Sequence, residues 1–184
     1  MKEEFWKSRW QENSIGFHQS EINPILQKYF HLFELNSNDI IFLPLCGMSD
    51  DLLWSSKQST SVYGVEIIQS AVERFFKNHN FKPMITKLSN NITLYNKNNI
   101  NIIHGDFFNL TSNTIPAIHA IFDRASLIAL PISLRKKYYQ KIIELTSTGA
   151  KMLLITLNYD SPTEIGPPFS VSEHEIRDNY SQYF

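Results

Sequence analysis

The stretch Ile40-Ile41-Phe42-Leu43-Pro44-Leu45-Cys46-Gly47 decides the fold. Its four leading apolar residues follow the polar break Asn36-Ser37-Asn38-Asp39, the pattern of a strand buried on both faces. Pro44 to Gly47 then reads as a turn. Downstream, Asp50 to Lys57, with Leu52, Leu53 and Trp54, predicts a short helix, and Ser61-Val62-Tyr63-Gly64-Val65 a second strand. Ile68, Ala71, Val72, Phe75 and Phe76 recur at helical spacing, and Ile100 to Ile103 resumes as strand into His104-Gly105-Asp106-Phe107-Phe108. Ala117 to Phe122 predicts a fourth strand ending at Asp123-Arg124. Leu134, Tyr138, Ile142 and Leu145 mark a helix, and Met152 to Leu157 a fifth strand. The polar stretch Asn90 to Asn101 reads as a turn between strand-like residues. Upstream, Pro24 opens a helical pattern through Ile25, Leu26, Tyr29, Phe30 and Phe33, after an aromatic, charged segment from Phe5 to Trp10. Strands alternating with helices predict one α/β domain over 1–184, a doubly wound, mainly parallel sheet with helices on both faces, preceded by a helical segment 1–35.

In such sheets ligands bind outside the carboxyl ends of the strands, beside the topological switch point. Those ends carry Leu45-Cys46-Gly47, Glu66, Asp106-Phe107 and Asp123-Arg124. Glu66 lies 19 positions after Gly47. That is close to the spacing of about 20 at which an acid after the second strand reaches ribose hydroxyls; helix capping is the alternative. A single glycine replaces the Gly-rich phosphate fingerprint, which weakens a dinucleotide or ATP and leaves a nucleoside without phosphates, S-adenosylmethionine foremost. Asp106 and Phe107 suit an adenine contact or, equally by residue type, a turn acid and a core aromatic. Arg124 offers planar, permanently charged donors for an electron-rich substrate or a carboxylate, against the commoner surface ion pair. Trp6 and Trp10 share a helix face. His18 reads as a structural histidine and Cys46 as buried packing, for no base adjoins it in sequence. No His/Cys/Asp/Glu spacing matches a metal site.

The chain has 184 residues, 17 Lys+Arg against 18 Asp+Glu, and 42% hydrophobic residues, enough to build a core without a disulfide or a metal. One cysteine forms no internal bridge, and the opening MKEEFW has no apolar signal-peptide run, so a reducing cytoplasm is the expected location. In that compartment the sequon Asn91-Ile92-Thr93 goes unused. No apolar stretch nears the ~18 residues of a membrane span, and a basic cluster of Lys136, Lys137 and Lys141 leaves no nucleic-acid footprint.

Seven strings in order, Trp6-x-x-Arg9-Trp10, Gly16-Phe17-His18-Gln19, Pro44-Leu45-Cys46-Gly47, Gly64-Val65-Glu66, Gly105-Asp106-Phe107-Phe108, Asp123-Arg124-Ala125 and Gly166-Pro167-Pro168-Phe169, resemble the thiopurine S-methyltransferase family. The resemblance runs from about Phe5 to the end of the chain. It implies a Rossmann-like class I methyltransferase that uses S-adenosyl-L-methionine to methylate the sulfur of a thiopurine or other small thiol, or selenium and tellurium compounds. By the same resemblance Trp6, Trp10 and the segment up to Phe17 close as a lid over the cofactor, Leu45 lines its pocket, and Glu66 binds the ribose. Asp106 and Phe107 face the adenine, Arg124 stands near cofactor and substrate with an electrostatic role in catalysis, and Phe17 lies on the substrate side.

Two departures from the family pattern stand out. Met48 replaces a lysine after Pro-Leu-Cys-Gly, and the sequence stops at Phe184, where relatives continue through a final antiparallel strand pair. Without that pair the fifth strand becomes an edge, open to pairing with a second copy of an otherwise monomeric chain. The competing readings are a shortened, non-catalytic protein that binds S-adenosylmethionine or S-adenosylhomocysteine, and a nucleotide-dependent oxidoreductase.

Overall fold

A computed structural model describes residues 3–58, 61–160 and 165–184. The chain runs through α1 (Glu3–Gln11), α2 (Pro24–Tyr29), β1 (Ile40–Leu43), α3 (Asp50–Ser56), β2 (Ser61–Glu66), α4 (Gln69–Asn78), β3 (Met84–Ser89), β4 (Ile92–Lys97), β5 (Ile100–His104), β6 (Ile118–Arg124), α5 (Ile132–Leu145), β7 (Thr146–Ile155) and α6 (Glu173–Tyr180). The seven strands form one sheet in the order β3-β4-β5-β2-β1-β6-β7. Pairs β1–β2, β1–β6, β2–β5 and β6–β7 are parallel. From β1 the chain steps outward through β2 to β5, then returns to place β6 on the other flank of β1. The order therefore reverses between β1 and β6, and the loops leaving their carboxyl ends diverge to open a crevice.

Alternation along β1 divides the core. Ile41 and Leu43 join Leu26 of α2, Leu52 of α3, and Val72 and Phe75 of α4 on one face. Phe42 joins Phe107, Tyr138 and Ile142 on the other, where α5 and α6 pack. Successive side chains of a strand point to opposite faces, so a strand covered on both sides must be apolar throughout, as Ile40 to Leu43 is. Asn23 caps α2, its side-chain oxygen accepting from the amides of Ile25 and Leu26, and Ser49 caps α3.

The expected parallel core is present, with two differences. An antiparallel hairpin, β3 with β4, adds to β5, so most of the predicted turn from Asn90 to Asn101 is strand. The signal was weak because every residue of β3 is exposed and β4 buries only Ile92 and Tyr95. An edge hairpin with so little burial carries no period-2 apolar pattern to read. The last strand runs from Thr146 to Ile155 rather than 152–157, beginning directly at the end of α5. β7 stands at one end of the sheet and β3 at the other.

Beneath the crevice lies a buried carboxylate. Asp123 is fully buried, accepts from the Tyr138 hydroxyl at 2.7 Å, and is pushed up to about 6, chiefly by burial, against the pull of that hydrogen bond. Tyr138→Phe is expected to destabilise the fold by about 1–3 kcal/mol, because it deprives a buried acceptor of its partner. A urea midpoint equal to that of the parent would show that the hydrogen bond contributes nothing net.

Candidate active site

Two close approaches shape one wall of the crevice. Gly64 lies under the β1–α3 loop, where a Cβ would stand 2.7 Å from Cys46 Sγ, so only glycine lets that loop settle onto β2. Gly47, at φ +55, presents its backbone to Trp10, whose ring would lie 3.2 Å from a Cβ there. Between these glycines, the Glu66 carboxylate accepts from the amide of Gly47 at 2.9 Å and from that of Ile68 at 2.8 Å. The loops after β1 and β2 are thereby tied to one side chain. Leu45 holds a left-handed backbone, φ 45, unusual outside glycine and worth of order 1–3 kcal/mol of local strain. The Ser126 hydroxyl donating to the Pro44 carbonyl at 2.6 Å, and the Cys46 amide donating to the Val65 carbonyl at 2.9 Å, hold it there.

The crevice is a cavity of about 750 Å³, lined mainly by apolar groups. Trp6, Trp10, Phe17, Leu45, Glu66 and Arg124 all line it, so six of the eight residues singled out from the sequence meet in one place. Asp106 and Phe107 are not among its lining. Asp106 caps a short turn by accepting from the amide of Phe108, while Phe107 is buried in the core, stacked on Phe42 and against Tyr138. The packing of that ring against α5 and β1 accounts for its place. Sequence reasoning set His18 aside as structural and passed over Asn23 and Asp51; all three line the cavity. Asp51 gave no separate signal because an acid in a helix's first turn reads as a macrodipole partner. Met48, the departure from the family lysine, also lines it.

The amino-terminal segment covers the opening. Trp10 is 2% exposed, and Phe17 meets the rings of Trp6 and Trp10 edge-on at 5.4 Å and 5.9 Å. Two arginines grip its backbone: Arg74 donates to the Trp10 carbonyl at 3.3 Å, and Arg124 donates through Nη1 to the Phe17 carbonyl at 3.1 Å.

Burial sets the titration of the site. Glu66 is pushed up to about 7 by desolvation, opposed by the amides of Ile68, Gly47 and Ile67. The Cys46 thiol is driven well up by burial and then by the Glu66 charge, so it stays protonated and is no nucleophile. Burial lowers His18, which leaves it neutral at pH 7. Arg124 is lowered by burial and raised by Asp51, yet a guanidinium keeps its charge. The cavity thus sets a carboxyl that ionises near pH 7 on one wall and a fixed cation on the other.

A mainly parallel sheet with a ligand crevice at its switch point and an acid after the second strand is a nucleotide-binding α/β arrangement, and the solved structures it matches give it the class I methyltransferase fold. A SAM-dependent methyltransferase from Anabaena variabilis superposes with a TM-score of 0.66 at 15% identity, covering 97% of this chain and 79% of that one. The glycopeptide N-methyltransferase MtfA complexed with S-adenosyl-L-methionine gives a TM-score of 0.55 at 15% identity, over 82% and 61% of the two chains. More specifically, the family model described as Thiopurine S-methyltransferase (TPMT) matches residues 1–184. Relatives named Thiopurine S-methyltransferase are 41% identical in Vibrio atlanticus, over 98% of this chain and 82% of theirs, and 40% identical in Psychrobacter cryohalolentis, over 100% and 86%. The chain belongs to the thiopurine S-methyltransferase family. It is a SAM-dependent methyltransferase whose cofactor is S-adenosyl-L-methionine. Among the described residues no helix is long and apolar enough to cross a membrane.

The residues present fit that cofactor. Each oxygen of an ionised carboxylate accepts more than one hydrogen bond, so Glu66 retains acceptor capacity beyond its two backbone amides, which suits a diol. The single glycine at the β1 turn offers no phosphate cradle, and none is required. Glu66 is expected to give opposite pH signs to two properties. Its folded value lies above the ordinary 4.5, so its contribution to the stability of the empty protein is full below 4.5 and is lost as pH rises towards about 7. If Glu66 takes the ligand in its ionised form, affinity for S-adenosylhomocysteine should instead fall as pH drops below about 7. Glu66→Ala should weaken that affinity by roughly 1–3 kcal/mol. Calorimetric titration across pH reads the affinity, and urea midpoints of the empty protein across pH read the stability; an unchanged affinity in the variant would remove Glu66 from the site.

Proposed function

We propose that the chain transfers a methyl group from S-adenosyl-L-methionine to the sulfur of a thiopurine or another small thiol, with selenium and tellurium compounds as chemically similar acceptors. The observation that carries this reading is the covered, mainly apolar cavity with Glu66 on one wall and Arg124 on the other. Glu66 takes the ribose hydroxyls. Leu45, Trp6 and Trp10 enclose the rest of the cofactor, and Phe17 faces the acceptor across the lid.

When bound, the cofactor supplies a methyl group on a positively charged sulfur. A thiopurine or aromatic thiol ionises near neutral pH and its sulfur is a strong nucleophile, so the protein needs alignment and dryness more than a strong base. The aromatic side chains of Trp6, Trp10 and Phe17 bring apolar surface to the cavity. Bringing opposite charges together with loss of charge is favoured where solvent is absent, and the apolar walls provide that medium. Arg124, fixed by the Phe17 carbonyl and facing Asp51, favours the ionised form of the acceptor and holds its sulfur in line for attack. His18 is neutral there, which leaves it able to take a thiol proton.

The test is calorimetric titration of the chain with S-adenosylhomocysteine, then methyl transfer to an aromatic thiol in the same sample. Binding with transfer is expected. Binding without transfer to any thiol, thiopurine or selenol would favour the non-catalytic reading, and no binding would overturn both. Arg124→Gln should lower turnover by about tenfold or more while S-adenosylhomocysteine affinity stays within about twofold, the mark of a residue that acts on the acceptor and not on cofactor binding. Equal loss in both would make Arg124 a cofactor residue. Cofactor should also protect the segment 6–17 from protease, and unchanged cleavage there would dismiss the lid.

A further inference from the structure

Asp51 lies in the first turn of α3, where an acid ordinarily favours the helix dipole from an exposed position. It is 2% exposed instead. Nor does its carboxylate cap α3, since Ser49 performs that task by accepting from the Asp51 amide at 3.2 Å. Oδ1 accepts from the backbone amide of Asn23 at 2.8 Å, and Oδ2 accepts from the Ser49 hydroxyl at 2.9 Å. Oδ2 also faces Arg124 Nε at 3.8 Å. Asn23 in turn caps α2 and donates through Nδ2 to Gln19 at 3.1 Å, two residues past Phe17. One buried carboxylate therefore joins the cofactor-side loop, the segment that carries Phe17, His18 and Gln19, and the arginine on the opposite wall.

We propose that Asp51 is a positioning residue for methyl transfer, holding the Arg124 guanidinium in place while anchoring the acceptor-side segment through Asn23. The proposal rests on the role given above to Arg124. A guanidinium has five N–H donors in a rigid plane, so its aim depends on which of them are restrained. Here Nη1 is held by the Phe17 carbonyl and the Nε edge faces the Asp51 charge. These two restraints, on different edges, determine the plane that the guanidinium presents to the cavity. Removing the charge leaves a part-buried cation with one restraint and no facing anion, a change felt at the acceptor and not at the ribose.

A double-mutant cycle on kcat/KM for an aromatic thiol, at saturating cofactor, separates this role from a structural one. Asp51→Asn keeps the shape and removes the charge. It should lower kcat/KM about tenfold or more in the parent but less than about twofold beside Arg124→Gln, with S-adenosylhomocysteine affinity within about twofold of the parent throughout. Equal losses in both backgrounds, or a parallel loss of cofactor affinity, would overturn the proposal. If Asp51→Asn does not fold, Ser49→Ala removes only the hydroxyl that steadies Oδ2, and the same Arg124-dependent loss, smaller in size, is expected. If the parent binds S-adenosylhomocysteine but methylates no thiol, the functional reading fails by itself. The cycle is then read as protease protection of the segment 6–17, where an Asp51→Asn loss that vanishes beside Arg124→Gln supports the proposal and an equal loss overturns it.

Discussion

The site depends on one buried carboxylate shared between two loops. Glu66 stands at the end of β2, and its two oxygens take the amides of Gly47 and Ile68, fixing the loop after β1 against the loop after β2. Burying an acid is unfavourable unless its lone pairs are met, and here only part of their capacity is used by backbone. The remaining capacity suits a ligand with paired hydroxyl donors. The glycine under Cys46 and the left-handed turn at Leu45 follow from the same constraint, because the loop must lie close to β2 for the amide of Gly47 to reach the carboxylate.

The other side of the crevice is governed by the switch in strand order. β6 pairs with β1 on the flank opposite β2, so Arg124 emerges across the opening from Glu66. A carboxyl that ionises near pH 7 stands on one wall and a fixed cation on the other, and Arg124 faces Asp51 rather than Glu66. This separation suits a reaction in which a cationic donor and an electron-rich acceptor meet between them. The lid completes the arrangement with aromatic surface and two backbone carbonyls, each held by an arginine from the body of the fold.

Much of this was legible in the sequence. The apolar run Ile40 to Leu43, the helical spacing from Ile68 to Phe76 and the strand at Ile100 to Ile103 mark the parallel core because burial on both faces leaves no polar position. Glu66 was legible by its distance from Gly47, since a βαβ unit has a nearly constant length. The β3–β4 hairpin was not, because a strand with an exposed row of side chains has no pattern to enforce. Asp106 and Phe107 show the converse: their position at a strand end matched a ligand contact, yet the ring is committed to Phe42 and Tyr138.

By itself, the sequence determined the α/β class, the strand ends that carry chemistry, and the resemblance that identifies the family, since all three are properties of local pattern and spacing. The tertiary structure alone decided which of those residues share a cavity, that Cys46 is inert, and that Asp51 turns from its own helix towards Asn23 and Arg124. These are matters of burial and of contacts between segments far apart in the chain. Desolvation and charge pairing act through space, and no local pattern of residues records them.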